Sequence, residues 1–167
     1  MTVLQQLKWL EREEDILSPN SVGNCGDHQV CGDAVLQLKA VNPRNTSILV
    51  VDDDPDQLQF LSHVLSAAGY RVTATDTVQE ALSLLADRQF QILISDLKMP
   101  EMNGFEFVKT VRALEGEDVG REIPVIVLTG ARGDVELAAI EQGADMFCEK
   151  FRVQTLLPKQ IQFLLEE

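Results

Sequence analysis

Short, fully apolar runs alternate with segments of helical periodicity from residue 47 to the end of the chain. The runs at 48–51, 92–94 and 125–128 contain only Ile, Leu and Val. Strands that are apolar along their whole length are buried on both faces, which is typical of a parallel sheet covered by helices. Because crossovers between parallel strands are right-handed, the pattern predicts a doubly wound (βα)5 fold of the α/β class, with a five-stranded parallel sheet.

The predicted elements form five β/α units. The first helix places Leu58, Leu61 and Leu65 on one face, and Gly69 follows it as a stop signal. The predicted strands are 48–51, 71–74, 91–95, 125–128 and 146–148, and the predicted helices are 55–68, 78–86, 105–114, 135–142 and 153–165.

Residues 1–46 are predicted to be an extension of this domain, which itself covers residues 47–167. Residues 2–17 have the apolar spacing of an amphipathic helix, and a stretch rich in Gly, Pro, Asn and Ser follows them. Cys25, His28 and Cys31 have a spacing that suggests zinc, but structural zinc takes four ligands and only three are offered. The function of the extension stays open.

The chain is strongly acidic, with 27 Asp and Glu against 14 Lys and Arg and a formal net charge of −13. Nucleic-acid phosphates and anionic lipids repel such a chain, so we expect no direct nucleic-acid binding and no membrane association. No run of about 18 apolar residues is present, and the first residues lack the pattern of an export signal. With only three cysteines, no disulfide framework is predicted, and a cytoplasmic location is expected.

Ligands of open parallel sheets bind outside the carboxyl ends of the strands, so the residues that follow the predicted strands are candidates for a site. They are Asp52 and Asp53 after the first strand, Asp96 after the third, Thr129 after the fourth and Lys150 after the fifth. Carboxylates ~5 Å apart repel each other by about 3 kcal/mol per pair at an effective dielectric constant near 20, so they need compensating positive charge. Lys150 offsets one charge, and hard carboxylate oxygens favour Mg²⁺ for the rest.

This set of groups suits phosphoryl transfer, because a carboxylate can act as the nucleophile while a metal ion and a lysine stabilise the phosphoryl oxygens. Each residue also has a simpler interpretation. The acidic triplet that ends at Asp54 could cap the following helix, and Asp96 could be a turn residue. Thr129 could simply end a strand, and Lys150 could be a solvated surface residue. Their joint placement at the strand ends favours the functional interpretation.

Four segments resemble the motifs of the response-regulator receiver domain, and they occur in the order found in that family. The resemblance covers about residues 47–167 and implies the CheY-like, flavodoxin-like arrangement of the predicted fold. The segments are ILVVDDDP from residue 48, ILISDLKMPEMNG from residue 92, PVIVLTG from residue 124 and GAD from residue 143, followed by Lys150.

The resemblance implies roles for individual residues. Asp96 would accept a phosphoryl group from a histidine kinase or a phosphotransfer protein. Mg²⁺ would be held directly by Asp53, Asp96 and the backbone carbonyl of Lys98, with Asp52 in the acidic pocket acting through water. The residues that would contact the phosphoryl group or change position with it are Thr129, Lys150 and Phe147.

Three positions depart from the family pattern. Phe151 stands where the family usually has a proline in a cis peptide bond, and a non-proline cis bond costs ~2.5–4 kcal/mol, so a trans bond is expected. Phe147 occupies the aromatic switch position without a hydroxyl, and Lys98 adds a cation beside the pocket. None of these departures removes a residue needed for phosphorylation.

We therefore expect a stand-alone receiver whose only chemistry is its own phosphorylation and dephosphorylation. It would signal by a phosphorylation-dependent surface change and by contact with an unknown downstream protein, and a phosphorylation-dependent dimer stays open. One alternative is a degenerate receiver that acts as a phosphorylation-independent docking module. Another is a Mg²⁺-dependent phosphohydrolase of the haloacid-dehalogenase type, which needs an Asp two residues after the nucleophile, where this chain has Lys98.

Overall fold

The structure, a computed structural model, describes residues 43–87, 89–100, 102–115, 123–130 and 143–166. Three of the predictions lie outside these residues: the helix at 2–17, the zinc-like spacing of Cys25, His28 and Cys31, and the helix at 135–142.

The described residues form a five-stranded sheet in the order β2-β1-β3-β4-β5, and every strand pair is parallel. The predicted doubly wound α/β fold is therefore confirmed. The strands are β1 (Ser47–Val51), β2 (Arg71–Thr75), β3 (Ile92–Asp96), β4 (Val125–Thr129) and β5 (Met146–Glu149). The helices in the described part of the chain are α1 (Pro55–Ala67), α2 (Val78–Asp87), α3 (Gly104–Glu115) and α4 (Val153–Glu166), with 3₁₀ turns at Pro43–Asn45 and Lys150–Arg152.

The core lies where the central strands meet the helices. Every residue of β3 and of β4 is buried, as is every residue of β1 after Ser47. Such strands need apolar partners on both faces, and the helices supply them. Among the largest fully buried side chains are Leu61 and Leu65 of α1, Phe107 of α3, and Leu157 and Ile161 of α4.

The first helix begins and ends at recognisable signals. Pro55 occupies its first turn, where the missing N–H is not needed, and Asp54 precedes it as the N-cap. The chain leaves the helix through Gly69, whose φ of +95° lies in the left-handed region that glycine adopts without steric cost. These signals fix α1 directly after the acidic triplet.

A charged cluster joins α3 to the amino edge of the sheet, and we call Arg112 and Asp145 the amino-edge cluster. Arg112 donates from Nη1 to the Ile123 carbonyl at 2.7 Å, and from Nε and Nη2 to the Gly143 carbonyl at 3.0 and 2.9 Å. Its Nη2 also contacts Asp145 Oδ2 at 2.8 Å, and the same oxygen accepts the Val125 N–H at 2.8 Å. The cluster therefore ties the starts of β4 and β5 to α3.

In the described part of the chain, no helix combines the length and the hydropathy that crossing a bilayer requires.

Candidate functional site

The candidate site lies at the carboxyl edge of the sheet, where two adjacent central strands end in carboxylates. Asp96 is the last residue of β3, and Asp52 follows β1 directly. The register pairs Val51 with Ser95, so the next residue of each strand also lies side by side. One carboxylate oxygen from each of Asp52, Asp53 and Asp96 lies within 4.8 Å of the other two, and we call these three residues the acidic cluster.

The acidic triplet after β1 divides its roles among its three members. Asp52 is fully buried, and its Oδ1 accepts the Asp54 N–H at 3.0 Å. Asp54 caps α1, because its Oδ1 accepts the backbone N–H groups of Asp56 at 2.9 Å and Gln57 at 3.4 Å. Asp53 is exposed and has neither of these tasks. The capping interpretation therefore applies to Asp54, whereas Asp52 and Asp53 belong to the acidic cluster.

Lys150 bridges two members of the acidic cluster. Its Nζ lies 2.9 Å from Asp52 Oδ2 and 3.0 Å from Asp96 Oδ1. The residue follows β5 at the start of a 3₁₀ turn, and its side chain is 24% exposed against 6% for Asp96 and 0% for Asp52. A partly open ammonium group thus neutralises the most buried carboxylate of the site.

The surroundings raise the pKa values of both Asp96 and Lys150. Burial raises the pKa of Asp96, and the charge of Asp52 adds to this, while Lys150 and the Leu97 N–H act in the opposite direction. Burial by itself would lower the pKa of Lys150, but the hydrogen bonds and charges of Asp52 and Asp96 outweigh it and raise that pKa above its ordinary value. Lys150 therefore stays charged while it faces the two carboxylates.

The two oxygens of Asp96 differ in their hydrogen bonding. Oδ1 accepts the Leu97 N–H at 2.8 Å and also contacts Lys150. The contacts of the carboxylate with Leu97 and Lys150 thus both fall on Oδ1 and leave Oδ2 to face the site. The carboxylate is therefore held through one oxygen and has lone pairs available on the other.

The donor set fits a hard divalent cation. Carboxylates within 4.8 Å of one another repel by about 3 kcal/mol per pair at an effective dielectric constant near 20. Lys150 is the one cation that contacts the cluster in the described part of the chain, and it leaves the cluster with more negative than positive charge. Carboxylate oxygens at this spacing are the ligands that Mg²⁺ uses in proteins, so the residues present are chemically suited to it.

The remaining predicted site residues lie around the acidic cluster or on the neighbouring edge strands. Thr129 is buried at the end of β4, in register with Glu149 of β5, and Phe147 is half-buried in β5. Lys98 is exposed two residues after Asp96. Phe151 is 63% exposed, and its bond to Lys150 is trans, because the described residues contain no cis peptide bond.

Backbone groups complete the site, and side-chain identity alone does not predict them. The Leu97 N–H orients Asp96, yet a main-chain donor leaves no trace in the choice of side chain. Gly104 ends the segment ILISDLKMPEMNG, and its backbone lies directly against that of Asp96 and Leu97. Only the spacing between Asp96 and Gly104 could have signalled it.

Comparison with known proteins gives a consistent result. The profile of the response regulator receiver domain matches residues 48–162. The chain is 42% identical over 104 residues to an uncharacterised 14.6 kDa protein of Leptolyngbya boryana, and the match covers 62% of this chain and 77% of that protein. It is 36% identical over 118 residues to the two-component response regulator ARR2 of Arabidopsis thaliana, covering 68% of this chain but only 17% of ARR2.

A solved structure shares both the fold and part of the sequence. The receiver domain of the histidine kinase CKI1 from Arabidopsis thaliana, determined in complex with Mg²⁺ and BeF3⁻, superposes with a TM-score of 0.66 at 28% identity. The match covers 75% of this chain and 93% of that domain. With the five-stranded parallel sheet and the acidic cluster at its carboxyl edge, these similarities show that the chain belongs to the response-regulator receiver domain family.

Proposed function

We propose that the protein accepts a phosphoryl group on Asp96 and transmits this modification through protein contacts. The observation that carries the proposal is the placement of Asp96. Its buried carboxylate is held through Oδ1 by Lys150 and the Leu97 N–H, beside the carboxylates of Asp52 and Asp53. The donor would be a phosphohistidine of a histidine kinase or of a phosphotransfer protein.

The chemistry follows from the two oxygens of Asp96. Oδ2 attacks phosphorus, so a P–O bond to Asp96 forms while the P–N bond of the phosphohistidine breaks and the imidazole leaves with the bonding electron pair. Lys150 is within reach of the phosphoryl oxygens, because its ammonium group already lies 3.0 Å from Asp96 Oδ1. Mg²⁺ would be held directly by Asp53, Asp96 and the backbone carbonyl of Lys98 and through water by Asp52, and it would supply further positive charge.

The signal would be a change of surface around β4 and β5. In this proposal the Thr129 hydroxyl bonds a phosphoryl oxygen, and the half-buried ring of Phe147 changes position with it. The two side chains lie on adjacent strands, since Val127 pairs with Phe147 and Thr129 with Glu149. Such a shift between two states would be recognised by a downstream protein or by a second copy of the chain.

The test is phosphorylation by acetyl phosphate with Mg²⁺, followed by intact-mass analysis. We expect one added phosphoryl group in the wild type and none in Asp96→Asn. Asp54→Asn is the matched control, because asparagine keeps the helix cap and leaves the acidic cluster intact. An unchanged phosphorylated fraction in Asp96→Asn would refute the assignment. A wild type that takes up no phosphate would favour the docking module instead.

A further inference from the structure

We propose that Gly104 is a positioning residue for the carboxylate of Asp96. The inference rests on the proposed phosphoacceptor role of Asp96 and names the element that sets its position. Gly104 is the first residue of α3 and is buried. Its N–H donates to the Leu97 carbonyl, so the start of this helix lies directly against the end of β3.

The contact between Gly104 and the phosphoacceptor segment leaves no room for a side chain. A Cβ added at Gly104 would lie 2.4 Å from the Asp96 carbonyl oxygen and 2.8 Å from Leu97 Cα. Both are backbone atoms, which cannot rotate away as the end of a flexible side chain can. The Gly104 N–H also donates to the Leu97 carbonyl at 3.0 Å. Gly104 therefore defines how closely α3 approaches the Asp96–Leu97 peptide.

This peptide in turn orients the carboxylate. The Leu97 N–H is shared between Asp96 Oδ1 at 2.8 Å and the Leu128 carbonyl at 3.0 Å. The Asp96 carbonyl accepts the Ser95 hydroxyl at 3.0 Å, on the same oxygen that Gly104 approaches. A displacement of the peptide would therefore move the Leu97 N–H, and with it Oδ1 of Asp96 relative to Lys150 and Asp53.

An alanine at 104 must displace these atoms. Bringing the added Cβ from 2.4 Å to an ordinary contact with the Asp96 carbonyl oxygen needs a shift of about 1 Å. A misplacement of about 1 Å at a reacting group can lower a rate by roughly 10²-fold. We expect a loss of this order in the rate constant for phosphorylation at saturating acetyl phosphate and Mg²⁺, together with weaker Mg²⁺ binding.

Gly130→Ala is the matched control. Gly130 also lies at the carboxyl edge of the sheet, but a Cβ added there meets nothing within 4 Å. The full-length wild type and both variants are compared by intact mass for the phosphorylation rate, by calorimetry for the Mg²⁺ dissociation constant, and by urea unfolding for the folded fraction. We expect Gly130→Ala to match the wild type in rate and in Mg²⁺ affinity.

The outcomes separate positioning from mere stability. If Gly104→Ala is less stable but its folded fraction reacts and binds Mg²⁺ as the wild type does, the proposal is overturned. If Gly104→Ala does not fold, Ser95→Ala decides, since it removes a hydrogen bond from the same carbonyl without adding an atom. A several-fold lower rate is then expected, and an unchanged rate overturns the proposal. A wild type that takes up no phosphate refutes the proposed function, while the Mg²⁺ affinities still test the position of Asp96.

Discussion

The two edges of the sheet each carry a cluster of charged side chains, and the clusters differ in their charge balance. In the amino-edge cluster one guanidinium faces one carboxylate. The guanidinium also donates to two backbone carbonyls, and the carboxylate accepts one backbone N–H. At the carboxyl edge the three carboxylates of the acidic cluster share the ammonium of Lys150. The balanced cluster holds chain segments together, whereas the unbalanced one retains the negative charge that a cation needs.

Arg112→Met should have the largest effect on stability. It leaves the half-buried Asp145 without its guanidinium and frees two backbone carbonyls, so we expect the free energy of unfolding to fall by about 3 kcal/mol. The loss relative to the wild type should be the same with and without Mg²⁺, because the cluster lies at the opposite edge of the sheet and the metal stabilises both proteins equally. Urea unfolding with and without Mg²⁺ measures both quantities. Lys109→Met, an exposed position in the same helix, should change stability by less than about 0.5 kcal/mol. If Mg²⁺ removes the difference from the wild type, the two edges of the sheet do not differ in the way proposed.

Lys150→Met should give a smaller loss that Mg²⁺ does restore. Without metal, the fully buried Asp52 loses its counter-charge, and we expect the free energy of unfolding to fall by about 2 kcal/mol. Saturating Mg²⁺ should recover most of it, since the cation supplies the missing positive charge. The same urea titrations compare this variant with Arg112→Met. Equal Mg²⁺ responses in the two variants would show that the edges do not differ in the way proposed.

Mg²⁺ should stabilise the wild type by about 1.4 kcal/mol at ten times its dissociation constant, which corresponds to a melting shift of roughly 3–6 °C. Asp53→Ala should lose most of this response and gain stability without metal, because one repelling charge is gone. Asp54→Ala should keep the response but lose about 1 kcal/mol with the helix cap. Thermal melting of the three proteins with Mg²⁺ and with chelator decides between these outcomes. A full Mg²⁺ response in Asp53→Ala would exclude Asp53 as a ligand.

The fold was predictable because its signals are local. Fully apolar runs predicted the three central strands, and all five observed strands differ from the predicted ones by single residues at their ends. The third strand extends to Asp96, and the fourth to Thr129. Hydrogen bonding to a neighbouring strand can continue onto a polar residue, so hydropathy ends such strands one residue early.

Only the features of the site that follow from the sheet topology could be predicted. Parallel strands predicted that Asp52, Asp96 and Lys150 would share one edge of the sheet, and the structure brings them together. Sheet topology alone could not assign separate tasks to the three consecutive aspartates, because identical side chains differ here only in the direction in which the backbone points them. The amino-edge cluster was missed as well. Arg112 contacts Asp145 across 33 positions of the chain, and no sequence pattern links the two residues.

The donor that orients Asp96 is the main-chain amide of Leu97, so position 97 can tolerate changes of side chain without loss of this hydrogen bond. Nineteen of the twenty amino acids carry the N–H that Leu97 contributes, and only proline lacks it. Variation of the side chain at 97 is therefore free to follow the packing of the core, where this residue is buried. The orientation of the neighbouring carboxylate is inherited with the backbone and does not depend on which side chain that position happens to hold.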